Sequence, residues 1–251
     1  EAINIKEDFK NATLFGAIDY GNQNEKWSYL KGTEIEVNEL KKILVSNNIP
    51  TQLFTNKFAT EINFKNNIEN SNIIHIATHG FFKSNDLVES KIENSKNKEF
   101  GKVVFENRGT NSVEIDANND PLMSSGLIFA NANNSLSKSQ VENGILTALE
   151  VSQLNINSKS LVVLSACETG LGEIKDDEGV YGLQRSFKIA GAKYLIFSLW
   201  KVPDLQTKEF MTLFYEEFFI SNNIRKAFIK TQRELSSKYD PYYWASFVLI
   251  E

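Results

Sequence analysis

The sequence predicts an α/β fold built on a mostly parallel sheet with helices on both faces. Three observations point to it. Dense apolar runs at Ile73–Thr78, Ser160–Ser165 and Tyr194–Leu199 read as buried central strands. Segments with helical spacing of apolar residues alternate with them. The chain has 251 residues, 41% of them hydrophobic, enough for one sizeable core.

The elements follow in order. A first strand is expected near Leu14–Ile18. A helix starts at Thr33, where Thr33 and Glu36 fit a capping box, and Val37, Leu40 and Leu44 form its apolar stripe. Thr51–Phe54 reads as a short strand and residues 59–70 as a polar helix. Residues 83–125 are rich in Asn, Ser, Glu and Lys, with one strand candidate at Lys102–Glu106. Such a long excursion is uncommon unless functional or mobile. Regular structure resumes at Gly126–Ala130 and Leu146–Leu154. After the strand Ser160–Ser165 comes the loop CETGLGEIKDDEG. A helix then carries Val180, Leu183 and Phe187 and stops at Gly191. Two further helices follow, one carrying Phe210, Leu213, Phe214 and Phe218, the other Ile224, Ala227, Phe228 and Leu235. Trp244–Ile250 reads as a last strand.

Composition excludes several classes. A net charge of −5 gives no electrostatic support for nucleic-acid binding. No apolar run reaches the roughly 18 residues a membrane span needs. The start, EAINIKEDFK, lacks an initiator Met and a signal core, so a trimmed piece of a longer protein is expected. The single Cys precludes an intrachain disulfide and fits a reduced, cytoplasmic setting.

The only histidines are His75 and His79, so any Cys–His chemistry pairs Cys167 with one of them. His79 ends the strand IIHIATH and Cys167 ends LVVLSAC. Active sites of open parallel sheets form beyond the carboxyl ends of the strands. If the two strands are neighbours, the imidazole is placed to generate the nucleophilic thiolate. Gly80 lets a substrate carbonyl approach closely, and the amides of Gly80 and Cys167 would then form an oxyanion hole. Each residue alone fits a structural role as well: a buried Cys behaves as a small hydrophobe, and strand-end His residues often serve only packing. Their joint placement beside glycine-rich loops favours chemistry. His75, mid-strand, reads as structural. No G-x-S-x-G elbow or phosphate-binding G-x-x-x-x-G-K-[ST] loop is present. Gly170 and Gly172 open a G-x-G pattern, but Lys175 occupies the third glycine position. Asp176, Asp177 and Glu178 suit a solvated turn before a helix better than a metal loop. No metal and no cofactor are expected.

These residues resemble the CHAT family, caspase-like domains often attached to tetratricopeptide repeats. The resemblance rests on LKGTEIEVNEL (30–40), HIATHGFF (75–82), GILTALEVSQL (144–154), LVVLSACETGLGE (161–173), EGVYGLQRSFKIAGAKYLIFSLWKVPD (178–204), Phe214–Tyr215 and YWASFVL (243–249). It implies one caspase-like three-layer α/β/α sandwich over 1–251, with a variable excursion at 83–125. It implies a His79–Cys167 dyad and peptide-bond cleavage through an acyl-enzyme. Ser165 matches a position lining the pocket for the residue before the scissile bond. Ser198–Trp200 resembles the strand that holds the substrate backbone. Ser165, Ser198, Trp200 and Asp204 are therefore the substrate-side candidates. SLWKVPD also resembles separases, but Lys208 stands where their arginine-selecting second acid would fall, so a different pocket is expected. The implied function is a cysteine endopeptidase acting on a specific protein or peptide partner, bacterial, and regulated by an N-terminal activating or repeat region. The alternative is a catalytically silent peptide-binding module.

Overall fold

The computed structural model describes residues 9–22, 26–82, 102–105, 113–116, 121–135, 143–166, 173–175 and 179–251. Its centre is a six-stranded sheet. The strands in chain order are β1 (Ala12–Ile18), β2 (Thr51–Asn56), β3 (Ile73–Thr78), β9 (Leu161–Ala166), β12 (Tyr194–Ser198) and β13 (Phe247–Ile250). They lie side by side as β13-β12-β9-β3-β1-β2. Every neighbouring pair is parallel except β12 and β13. Smaller strands complete the count: β4 (Gly80–Phe82), β5 (Lys102–Phe105), β6 (Val113–Asp116), β7 (Ser125–Ile128), β8 (Ile145–Thr147), β10 (Glu173–Lys175) and β11 (Gly179–Tyr181). Among these, β4, β7 and β8 form a three-stranded sheet.

The central strands are apolar without a break because both faces are covered. Alternate residues enter two separate cores. Phe15, Ile74, Ile76, Val162, Leu164, Leu195 and Phe197 face one. Leu14, Ile73, Leu161, Val163 and Ile196 face the other. Helices α2 (Glu61–Asn67), α4 (Ala148–Ser152) and α5 (Leu183–Ile189) close the first through Phe64, Val151 and Phe187. Helices α1 (Lys31–Ser46), α6 (Asp204–Ser221) and α7 (Ile224–Ser236) close the second through Leu40, Leu44, Phe210, Phe214, Ile224 and Leu235. Two short helices remain, α3 (Ala132–Ser135) and α8 (Pro241–Trp244). This is the three-layer α/β/α sandwich with a mostly parallel sheet that the sequence implies.

The order of connections creates a crevice. From β1 the chain crosses by α1 to β2 at the sheet edge. It then returns by α2, on the opposite face, to β3 on the far side of β1. Right-handed crossovers demand opposite faces when the direction reverses. The carboxyl ends of β1 and β3 therefore flank a topological switch point, the usual place for a site in such sheets.

Some local expectations are corrected. Thr33 does not open the first helix: α1 starts at Lys31 with Leu30 as its N-cap. The Thr33 hydroxyl donates to the Leu30 carbonyl and accepts from the Ala17 amide, stapling the helix start to β1. Glu36 cannot complete a capping box because it is buried and bound to His75 at 2.8 Å. The capping box present is Thr147–Glu150, at the start of α4. Val180 belongs to β11, and α5 begins only at Leu183. Trp244 closes α8, which Pro241 initiates, so the last strand starts at Phe247. The strand candidate after residue 101 is present as β5, paired antiparallel with β6. Gly191, which ends α5, adopts φ +113, and a Cβ there would meet the Ile156 carbonyl at 2.6 Å.

Candidate functional site

The strands that end at the two chemically promising residues are adjacent. β3 and β9 pair in parallel from Ile73 with Leu161 through Thr78 with Ala166. His79 follows Thr78 in the chain, and Cys167 follows Ala166. Cys167 itself lies outside the described residues, as do Gly170, Gly172 and Asp176–Glu178.

His79 is half-buried and tightly oriented. Its Nε2 lies 2.8 Å from the carbonyl oxygen of Ser28. A carbonyl only accepts, so Nε2 carries the hydrogen and the neutral ring keeps its lone pair on Nδ1. Two rings hold the imidazole: Tyr20 at 5.0 Å and Trp27 at 5.3 Å between centroids. Tyr20 is fixed in turn, because its hydroxyl is 2.9 Å from Thr78 Oγ1, whose own hydrogen goes to the Ile128 carbonyl. Burial holds the His79 imidazole below its ordinary pKa. The Ser28 carbonyl pulls it up, the Lys201 ammonium pushes it down, and the Asp204 carboxylate raises it. The ring is therefore neutral at physiological pH, the form a general base requires.

The segment that supplies Ser28 is pinned from a distance. Asn133 of α3 is buried, and its amide nitrogen donates to the carbonyls of Asn22 and Trp27 at 3.0 and 2.9 Å. Its amide oxygen accepts from the Trp27 backbone N–H at 3.0 Å. One side chain thus brackets the chain leading into Ser28.

Gly80 opens β4, pairing with Leu127 of β7, and the His79 carbonyl accepts from the Ile128 amide at 3.0 Å. Ser165 lies in β9 opposite Ala77, with its hydroxyl buried and without a partner among the described residues. Ser198 is buried, and its hydroxyl donates to the Ala166 carbonyl at 2.9 Å. Its side chain therefore holds the end of β9. The Trp200 indole N–H donates to the Tyr242 carbonyl at 2.9 Å, and the Tyr242 hydroxyl donates to the Lys201 carbonyl at 2.8 Å. Asp204 is exposed in the first turn of α6, packed against Gly32 of α1 so closely that a Cβ at Gly32 would meet the Asp204 Cβ at 2.4 Å. Lys208 ion-pairs with Glu39 at 3.0 Å. No group of three or more His, Cys, Asp or Glu residues suited to a metal occurs among the described residues. No helix described is long and apolar enough to cross a membrane.

His75 is fully buried between α1 and α6. Its Nε2 is 2.8 Å from Glu36 Oε1, and its Nδ1 is 3.3 Å from the Tyr215 hydroxyl. Burial and the nearby Glu36 hold the Tyr215 phenol well above its ordinary pKa. This buried triad ties β3 to α1 and α6, two of the three helices of one layer.

Sequence reasoning missed Ser28, Tyr20, Trp27 and Asn133. Ser28 acts through its backbone, which leaves no side-chain signature. The aromatic pair Trp27 and Tyr29 within the polar stretch NQNEKWSYLKG was the available signal.

Together these features define an α/β protein that presents, at the carboxyl end of a central strand, an oriented, neutral histidine beside the end of a neighbouring strand. The chain belongs to the CHAT domain family, whose match covers residues 4–251. It is similar to Tetratricopeptide repeat protein 28 of Mus musculus, with 33% identity over 110 residues, 42% of this chain and 4% of that protein. The Homo sapiens protein of the same name shows 33% identity over 109 residues with the same coverage of each chain, 42% and 4%. The matched region thus spans a small fraction of these relatives. Among solved structures, the chain is similar to the complex of the pro- and mature domains of RgpB from Porphyromonas gingivalis. That likeness has a TM-score of 0.46 and 11% identity, covering 96% of this chain and 47% of that one. The Arg-specific cysteine proteinase gingipain R gives a TM-score of 0.49 at 11% identity, covering 98% and 47%.

Proposed function

We propose that the chain is a cysteine endopeptidase domain in which His79 and Cys167 form the catalytic dyad. One observation carries this reading: the parallel register that sets Thr78 beside Ala166, the residues immediately before His79 and Cys167. The lone pair left on His79 Nδ1 by the Ser28 hydrogen bond supports it.

In this reading His79 Nδ1 takes the Cys167 Sγ proton, and the thiolate adds to the scissile carbonyl carbon. The amides of Gly80 and Cys167 receive the developing oxyanion. Collapse breaks the C–N bond, and His79 returns its proton to the departing amine. Water, deprotonated by His79, then hydrolyses the thioester and restores the thiol. Ser165, the backbone of Ser198, the ring of Trp200 and the carboxylate of Asp204 form the substrate side. The substrate is a protein partner, and activation comes from a binding partner. By the name of the similar mouse and human proteins, a tetratricopeptide-repeat region is the natural sensor.

The test is an acyloxymethyl ketone peptide probe with mixed residues before the reactive group, read by intact mass. Labelling that maps to Cys167 and disappears in Cys167→Ala and His79→Ala supports the dyad. Peptide binding without labelling, under every activation condition tried, would instead support a silent recognition module.

A further inference from the structure

We propose that the cavity beside His79 is the subsite for the residue that follows the scissile bond, and that it selects tyrosine there; this rests on the endopeptidase reading. The cavity measures about 270 Å³ and is lined by Ile18, Asp19, Tyr20, Trp27, Tyr29 and Asn56 among others. Pockets that enclose whole drug-sized ligands start at about 300 Å³, so this one suits a single side chain.

Its position assigns the side. Along the sheet the order is β12, β9, β3, β1, β2. The substrate-side candidates Ser198 and Trp200 lie at the end of β12, on one flank of β9 and β3. The cavity lies at the ends of β1 and β2, on the other flank. His79 must protonate the departing amine, so the chain beyond the scissile bond leaves past the imidazole. Tyr20 and Trp27, whose rings pack on His79, are also two of the cavity walls. The leaving-group residue therefore meets this cavity first.

Its chemistry assigns the occupant. Of its lining residues, Ile18 and Tyr20 are buried, while Asp19 and Asn56 are exposed. Tyr20, Trp27 and Tyr29 give three aromatic walls, which favour an aromatic ring. Asp19 accepts the Gly21 amide at 3.1 Å through Oδ1. An exposed carboxylate beside aromatic walls calls for a ring that donates a hydrogen bond, as a phenol does.

The experiment uses internally quenched peptides that share the residues before the scissile bond and carry Tyr, Phe, Gly or Asp after it. For the native protein, kcat/KM for Tyr should exceed that for Gly by about tenfold. Tyr should also exceed Phe, and Asp19→Asn should bring that second ratio to about one, because Asn keeps the Gly21 bond but loses the charge. Trp27→Ala should lower the Tyr-to-Gly ratio; taking ratios within each variant cancels any damage to the dyad. Equal rates for Tyr and Gly in a protein whose Cys167 still reacts with the ketone probe would overturn the subsite alone, since that probe carries no residue on the leaving side. Absence of both cleavage and labelling would overturn the endopeptidase reading and the subsite with it.

Discussion

The Ser198 hydroxyl donates to the carbonyl of Ala166 at 2.9 Å, so the last residue of β12 holds the last residue of β9. The tether sits one peptide before Cys167. Removing it with Ser198→Ala should cost about 1 kcal/mol and lower Tm by about 2–4 °C. Probe labelling of Cys167 should slow by more than that loss of stability accounts for. Thermal melts and labelling rates measured together check this; a labelling rate unchanged beside a lowered Tm would assign Ser198 to stability only.

The buried triad behaves differently from a surface pair. Glu36→Ala leaves His75 in the core without its hydrogen-bond partner and should cost about 1–3 kcal/mol. Tyr215→Phe should cost about 1 kcal/mol. The double variant should fall short of the sum, because both single changes break one network. Denaturant titrations give all three values.

The pH dependence follows from His79. Burial first, and Lys201 after it, hold its folded pKa below the unfolded value. Its stability contribution is therefore full above the unfolded pKa and is lost as pH falls through the folded pKa. Labelling of Cys167 should persist below the pH at which an ordinary histidine is half protonated. Lys201→Ala should move the acidic limb upward and Asp204→Asn should move it downward, as removal of a nearby cation and anion requires. Labelling rates across pH, for each variant, read the shifts.

Asn133 is the remote support of the His79 ring. Asn133→Ala removes three hydrogen bonds to the segment before Ser28. Labelling should fall by at least about tenfold, while Asn133→Asp, which keeps the acceptor for Trp27, should retain more. Chemical shifts of the His79 ring would show the lost Nε2–H anchor directly. An unchanged ring signal in Asn133→Ala would mean that Ser28 holds its place without this support.

Gly32 tests the meeting of the two helix starts. Gly32→Ala places a methyl against Asp204 where no space exists, and should cost about 1–3 kcal/mol. The change should displace Asp204 and so alter the acidic limb of His79 in the same direction as Asp204→Asn.

The sheet was legible because its strands are short, continuous apolar runs, a pattern that follows from burial on both faces. His79 and the strand end before Cys167 were legible for the same reason: chemistry-bearing residues stood where such runs stop. The capping box at Thr33 misled because Glu36 fits two roles by spacing, and only the tertiary partner, His75, decides between them. At Ser198 the hydroxyl's bond to the Ala166 carbonyl could not be foretold, because it depends on which strand lies next to β12. Trp27, Ser28 and Asn133 stayed hidden, since their contacts join positions more than 100 residues apart, or 51 apart in the case of Ser28 and His79, and one of them acts through its carbonyl.

Asn133 has one more consequence. It lies in the connection between β3 and β9, more than 100 residues from the segment it holds. The hydrogen on His79 Nε2 is thus placed by the tertiary fold and not by the strand that carries the ring.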